Sequence, residues 1–224
     1  MIKDYLYIMK WTFLKTSLNR IFQQIFSKDI TLDGKIIEFG ASKNSSKSFV
    51  NFLKIPNKEN IFFADKQDFQ NGDTTKEDLE TKLSFKDNSY NNVVIFNVLE
   101  HVYNVDNAVK EIYRSLEIEG KIVGSTPFIH RVHYAPEDYN RYSEQFLSKI
   151  LLKNNFKNIS VEAFGYGPFT AAYAIIFDYT KLIPLLNNII LTICILIDKF
   201  IGLFTKTDLK KIYPISICFS AKKG

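Results

Sequence analysis

The chain has 224 residues, 46% of them hydrophobic and 24% charged, which is enough for one well-buried core and short for two. Its 29 basic residues against 24 acidic ones leave a net charge of +5, without the dense basic clusters that would argue for nucleic acid. Two cysteines, Cys194 and Cys218, give neither a disulfide framework nor a metal spacing and read as small core residues of a protein kept in a reducing compartment. The first residues alternate charge and aromatics, so no secretory signal is read there. A cytoplasmic protein is expected, with the inner face of the membrane open to it. The 20 Phe and 12 Tyr are scattered through apolar segments and form no single-strand-binding motif.

Residues 1–30 read as an N-terminal amphipathic helix: Trp11, Leu14, Leu18, Ile21, Phe22, Ile25 and Phe26 recur at helical steps with Lys15, Asn19, Arg20 and Gln23 between them. Such a helix packs across the domain or lies on an anionic membrane surface. The remainder, 31–224, reads as one domain. Asp33-Gly34 is a turn, and Lys35-Ile-Ile-Glu-Phe-Gly40 is a short strand ending at a glycine. A polar stretch follows, then an apolar-periodic helix through Phe49, Phe52 and Leu53 that Pro56 ends. Asn60-Ile-Phe-Phe-Ala-Asp65 is a second strand with an acid at its end.

The polar stretch 66–88 reads as a loop with a short helix at about 76–83. Residues 93–96, all β-branched or aromatic, suit a strand buried on both faces at the centre of a parallel sheet. A helix follows over 105–116, with Ala108, Val109, Ile112 and Leu116 on its buried stripe. A strand at 121–126 ends at Pro127, Ser143 caps a further helix, and strands follow at 158–164 and 213–221. Strands alternating with helices predict an α/β, Rossmann-like doubly wound sheet.

Residues 168–205 interrupt that alternation with an apolar helical insert before the last strand. Its charge-free run, 182–197, is 16 residues and contains Pro184, Asn187 and Asn188. A spanning helix needs roughly 20 apolar residues, so the insert is read as not crossing a membrane. With little polar face it must still be covered, and a peripheral membrane contact or a homodimer through 168–205 is expected.

Ligands of such sheets bind outside the strands' carboxyl ends. Glu38, Gly40, Ser42 and Asn44 form a strand-to-helix turn where a ligand can approach the backbone. Asp65, one βα unit later, stands where nucleotide-binding domains hydrogen-bond a ribose diol. All three histidines, His101, His133 and His130, fall in the loops after the fourth and fifth strand positions, where they suit proton transfer. His130-x-x-His133 lacks a third ligand at a useful spacing, so no metal is expected. Pro136-Glu-Asp138-Tyr139-Asn-Arg141-Tyr142 reads as a substrate lid.

The run Leu83-Ser-Phe-Lys-Asp-Asn-Ser-Tyr90, followed by Val93-Val-Ile-Phe-Asn-Val-Leu-Glu-His-Val102 and the helix to Gly120, resembles the class I S-adenosylmethionine-dependent methyltransferases of the type 11-like branch. The lid, with Pro127-Phe128 and His133 before it, is similar to that of methyltransferases found with glycan and cell-surface polysaccharide biosynthesis. The resemblance covers about 34–164 and returns at Tyr213. It implies a seven-stranded sheet with the last strand between its neighbours. It also implies S-adenosyl-L-methionine held at Glu38, Gly40 and Ser42, its ribose on Asp65, its adenine near Asp78 and Leu79, and Asn97 and Val98 beneath the sulfonium.

Two departures stand out. Ser42 and Asn44 replace glycines of the family's turn, although Asn tolerates the left-handed conformation such turns use. Asn92 stands where an Asp is usual, at a structural position. The implied activity is methyl transfer to a hydroxyl or amine of a small, sugar-containing or lipid-linked acceptor. His133 or His101 would be the base, Asp138 would orient it, and Tyr139, Arg141 and Tyr142 would hold the acceptor. The rival reading is an inactive methyltransferase-like protein acting as a membrane-peripheral or complex-forming partner.

Overall fold

A computed structural model describes residues 2–43, 45–46, 48–67, 74–134 and 137–224. In chain order the elements are α1 (Ile2–Phe13), α2 (Leu18–Ser27), β1 (Ile36–Phe39), β2 (Ile61–Asp65), β3 (Thr75–Lys76), β4 (Tyr90–Phe96), α3 (Val105–Ser115), β5 (Leu116–Pro127), α4 (Glu144–Lys153), β6 (Phe156–Phe164), α5 (Pro168–Thr180), α6 (Pro184–Gly202), α7 (Leu209–Ile212) and β7 (Ser216–Lys223). The seven strands form one mixed sheet in the order β3-β2-β1-β4-β5-β7-β6. Every pair from β3 to β5 is parallel, and β7 lies between β5 and β6, as the resemblance implied.

The chain divides into two compact units. One contains 26–126, 133–162 and 218–224, and its centre is β4, whose residues Val93, Val94 and Ile95 are fully buried. A strand covered on both faces tolerates no polar side chain in that run. On one face Phe49 stacks on Phe96 at 4.2 Å within a cluster that includes Ile36, Phe63, Val94 and Val123. In α3, Ala108, Val109 and Ile112 are buried, and Asn104 caps the helix by accepting the Asn107 N–H. Ser143 caps α4 in the same way through Phe146 N. Asn92 is buried and donates to the Asp33 carbonyl at 2.6 Å, a structural tie. Lys223 of β7 donates to the carbonyls of Tyr113 and Leu116, closing the end of α3.

Two expected helices differ. The helix expected through Phe49 and Leu53 is a single 3-10 turn, Phe49–Phe52. Glu38 accepts from Ser48 Oγ and Phe49 N, and Lys54 exchanges backbone hydrogen bonds with Ile30 and Leu32, so the chain is tied down at both ends of that turn. The short helix expected at about 76–83 is instead the two-residue strand β3 followed by irregular chain.

The other unit contains 1–25, 127–132 and 163–217. The continuous N-terminal helix expected over 1–30 is broken into α1 and α2. Lys15 takes a left-handed φ of 64°, and Ser17 starts the next helix by accepting Ile21 N on its carbonyl. Ile8, Leu18, Ile21, Phe22, Tyr173, Phe177, Leu191, Ile195 and Ile215 form this unit's core. The N-terminal segment and the 168–205 insert, read separately in the sequence, therefore share one core. The buried Asp198 of α6 accepts from Phe169 N, Thr170 N and Thr170 Oγ1, filling the amino terminus of α5. With 19 residues, α6 is long and apolar enough to cross a membrane by length and composition, beyond the charge-free run that the sequence reading weighed.

Candidate functional site

The carboxyl ends of β1, β2 and β4 open onto a cavity of about 390 Å³, within the usual range for a small-molecule site. Gly40 lies at its floor with φ 78°, and its N–H bonds to Ala64 O at 2.9 Å. A Cβ added there would meet Val98 Cγ2 at 2.4 Å. Val98 and Asn97, the residues that leave β4, also line the cavity. Asn97 holds a φ of 54°, a left-handed position that Asn accepts more readily than most residues.

Asp65 borders the cavity at the end of β2. One carboxylate oxygen accepts Gln67 N at 2.8 Å, and partial burial raises the group's pKa. Opposite lie Asp78 and Leu79, with Lys66 Nζ 3.5 Å from Asp78. Two acids not singled out in the sequence shape this wall. Glu80 accepts Tyr103 N at 2.5 Å and Asn104 N at 3.1 Å, while Glu77 is buried and accepts Ser84 N and Ser84 Oγ. Glu38 and Ser42 are not among the lining residues; Glu38 is a buried brace for Ser48 and Phe49. Asn44 and Pro136 lie outside the described residues.

His101 lines the cavity and packs edge to face on His133, ring centres 4.8 Å apart. Its Nδ1 meets the Glu137 carbonyl, and its Nε2 is 3.9 Å from Glu100 Oε1. His133 turns Nδ1 toward Asp138 Oδ2 at 3.4 Å, and the same carboxylate oxygen accepts the His133 N–H at 2.9 Å. Arg141 grips Asp138 with both guanidinium arms, one at 2.7 Å, and holds its carboxyl far below the usual carboxylate range. The lid is tied to the turn after β4 by Tyr139 N and Asn140 N, both donating to Glu100 O. His130 belongs to the other unit, where its Nδ1 meets the Arg131 carbonyl.

Two of the residues expected to hold the acceptor are engaged otherwise. Arg141 is committed to Asp138 and the Asn140 carbonyl, and Tyr142 is buried, stacked on Phe146, with its hydroxyl on Leu99 O. Both brace the lid from beneath. Tyr139 is exposed, edge to face with Tyr103 at 5.5 Å, and those two rings form the lid's open wall. The residue whose state the sequence does not show is Glu100. It is 0% exposed, neither carboxyl oxygen has a hydrogen-bond partner among the described residues, and burial pushes its pKa up to about 8. Its place beside His101 was visible in the sequence, but its burial was not. Donor atoms of Glu100, His101 and His133 lie within 4.8 Å of one another, a grouping that does not include His130 of the His130-x-x-His133 pair.

Residues 51–124 match the model of a family described as a methyltransferase domain. No curated protein matches the chain. Among solved structures, a SAM-dependent methyltransferase from Archaeoglobus fulgidus is similar at TM-score 0.55 and 16% identity, over 91% of this chain and 91% of that one. The cyclase SpnF is similar at TM-score 0.57 and 12% identity, over 93% of this chain and 84% of that one. A phosphoethanolamine N-methyltransferase 2 of Haemonchus contortus, solved with phosphomonomethylethanolamine and S-adenosylhomocysteine, gives TM-score 0.52 and 14% identity over 87% of this chain. This chain spans about half of that protein, 49%. At these identities the likeness is one of fold.

Two predictions follow from the geometry. Gly40→Ala should abolish S-adenosylmethionine binding in calorimetry, and adding Val98→Ala should restore part of it by removing the clashing methyl. Equal loss in both variants would show that the close approach is not the constraint. Because the pKa of Glu100 is raised from 4.5 to about 8, the folded state holds a proton that the unfolded state has released between those values. That stability is complete below about 4.5 and is lost as pH rises toward 8. Urea midpoints of Glu100→Gln should therefore fall less steeply than wild type from pH 5 to pH 8; parallel slopes would contradict the assignment.

Proposed function

We propose that this chain, whose residues 51–124 match a methyltransferase domain model, is a class I S-adenosylmethionine-dependent methyltransferase acting on a hydroxyl or amine of a small, sugar-containing or lipid-linked acceptor. The observation that carries the reading is the juxtaposition of the cavity with the His101–His133 pair: His101 lines the one and packs on the other.

The residues present fit the cofactor. Gly40 leaves room for a ligand against the backbone, Asp65 offers carboxylate oxygens to a vicinal diol, and Leu79 supplies an apolar wall. Bound there, S-adenosylmethionine supplies a methyl group made electrophilic by its sulfonium. The protein's task is then alignment and proton removal. His133 is the base in this reading: Asp138, kept anionic by Arg141, faces its Nδ1 and favours the protonated imidazole. His101, held by the Glu137 carbonyl, forms the wall between base and cofactor. The exposed Tyr103 and Tyr139 rings offer flat apolar faces on which a sugar ring can rest.

The first test is calorimetric titration of S-adenosylmethionine into wild type and Asp65→Ala. Binding should be micromolar and at least tenfold weaker in the variant; a folded wild type that binds none would transfer the chain to the non-catalytic reading. With binding in hand, His133→Ala should lower turnover about 10²- to 10⁴-fold on amino- and hydroxy-sugar acceptors, leaving cofactor affinity intact. Dialysis against EDTA should leave turnover unchanged. Loss restored by one divalent cation would reassign the histidines as ligands.

A further inference from the structure

Helix α6 is built with its polarity reversed for water. Its polar side chains face its own unit. Besides the Asp198 carboxylate on α5, Asn187 accepts from Tyr173 and Thr180, Asn188 bonds to Thr12 Oγ1 and the Met9 carbonyl, and Thr192 meets Tyr5 Oη. The outward positions are Leu185, Leu186, Ile189, Ile193, Leu196 and Phe200, each between 46% and 67% exposed. Leu182 and Ile183 before the helix, and Leu203 and Phe204 after it, continue the face at 59% to 78% exposure. A helix in water normally does the opposite, and a contiguous apolar patch of this kind marks a contact surface.

We propose that this face docks on an anionic lipid surface, with α6 lying in the headgroup boundary. Charge selects that occupant over a second copy. From 182 to 215 the segment carries Lys199, Lys206, Lys210 and Lys211, against Asp208 and the inward-facing Asp198. A rim of net positive charge, with Asp208 its exposed acid, repels its own image across a two-fold contact and attracts anionic headgroups. Hydrogen bonds select an interfacial position over a spanning one. α6 is fastened along its polar side to α1, which carries Lys3, Asp4 and Lys10, and those charges would have to enter the hydrocarbon with it. The polar side chains inside and the apolar ones outside thus match a helix whose outer half is wetted by acyl chains. This inference is independent of methyl transfer; a catalytically dead chain would still dock.

The test is co-sedimentation of the full chain with vesicles of phosphatidylcholine alone and with added phosphatidylglycerol. Binding should be at least tenfold stronger to the anionic vesicles and weaken as salt is raised. Ile193→Asp with Leu196→Asp should abolish it, while Lys206→Glu with Lys211→Glu should remove the preference for anionic lipid and keep the circular dichroism and melting temperature of wild type. Wild type that stays in the supernatant overturns the proposal. So does a dimer in sedimentation velocity that Ile193→Asp dissociates, which would assign the face to a second copy, or a pelleted fraction that resists alkaline carbonate, which would make α6 a span.

Discussion

Everything at the carboxyl edge of the sheet depends on the contact between Gly40 and Val98. The two residues leave adjacent parallel strands, β1 and β4, and no side chain fits at position 40. The backbone there is left-handed, a conformation that costs most other residues about 1 kcal/mol, so sterics and torsion demand glycine for separate reasons. Because Gly40 also bonds to Ala64 O, the same position fixes the exit of β2, and with it Asp65. One glycine thus ties together the ends of three strands at the cavity.

The lid is organised by electrostatics more than by packing. Asp138 is almost fully enclosed, 1% exposed at its side chain, and a lone buried carboxylate would be costly. It is stabilised by the two arms of Arg141 and by the His133 N–H, so each partner's position is dictated by the acid. Arg141 is consequently unsuited to gripping an acceptor, and Tyr142, with its hydroxyl on Leu99 O, anchors the same segment to the turn after β4. In the proposed reading, recognition falls to the exposed tyrosines and to His133.

Much of this was legible in the sequence because it rests on local signals. The apolar run 93–96, the glycine after β1, the acid after β2 and the cap at Ser143 each state their role within a few residues. What escaped depends on distant partners. The break at Lys15 and the collapse of the helix after β1 into one turn come from ties to residues remote in the chain or from a single backbone torsion. Nor does periodicity say which side of α6 faces in. Its polar residues fall at helical spacing, as on any surface helix, yet their partners Tyr5, Thr12, Thr170 and Tyr173 come from two other helices. Exposure alone separates that arrangement from an ordinary amphipathic helix.

Glu100 and Asp138 show how one small site can hold two acids in opposite states. Glu100 is fully buried and the Asp138 side chain is 1% exposed, and they differ in depth and in company. Asp138 has a guanidinium and a backbone N–H, which keep it anionic; Glu100 has apolar surroundings, with its oxygens unmet among the described residues, and burial favours the neutral acid. Two carboxyls driven apart in this way are the usual signature of acid–base chemistry. The neutral one can donate where the anionic one can only accept. Here the two histidines sit between them, one ring facing each acid. In the proposed assignment a proton taken up at His133 meets an anion behind it, while burial favours the neutral form of the acid beside His101. The asymmetry supports the proposed choice of His133 over His101 as the base, which their positions in the sequence left open.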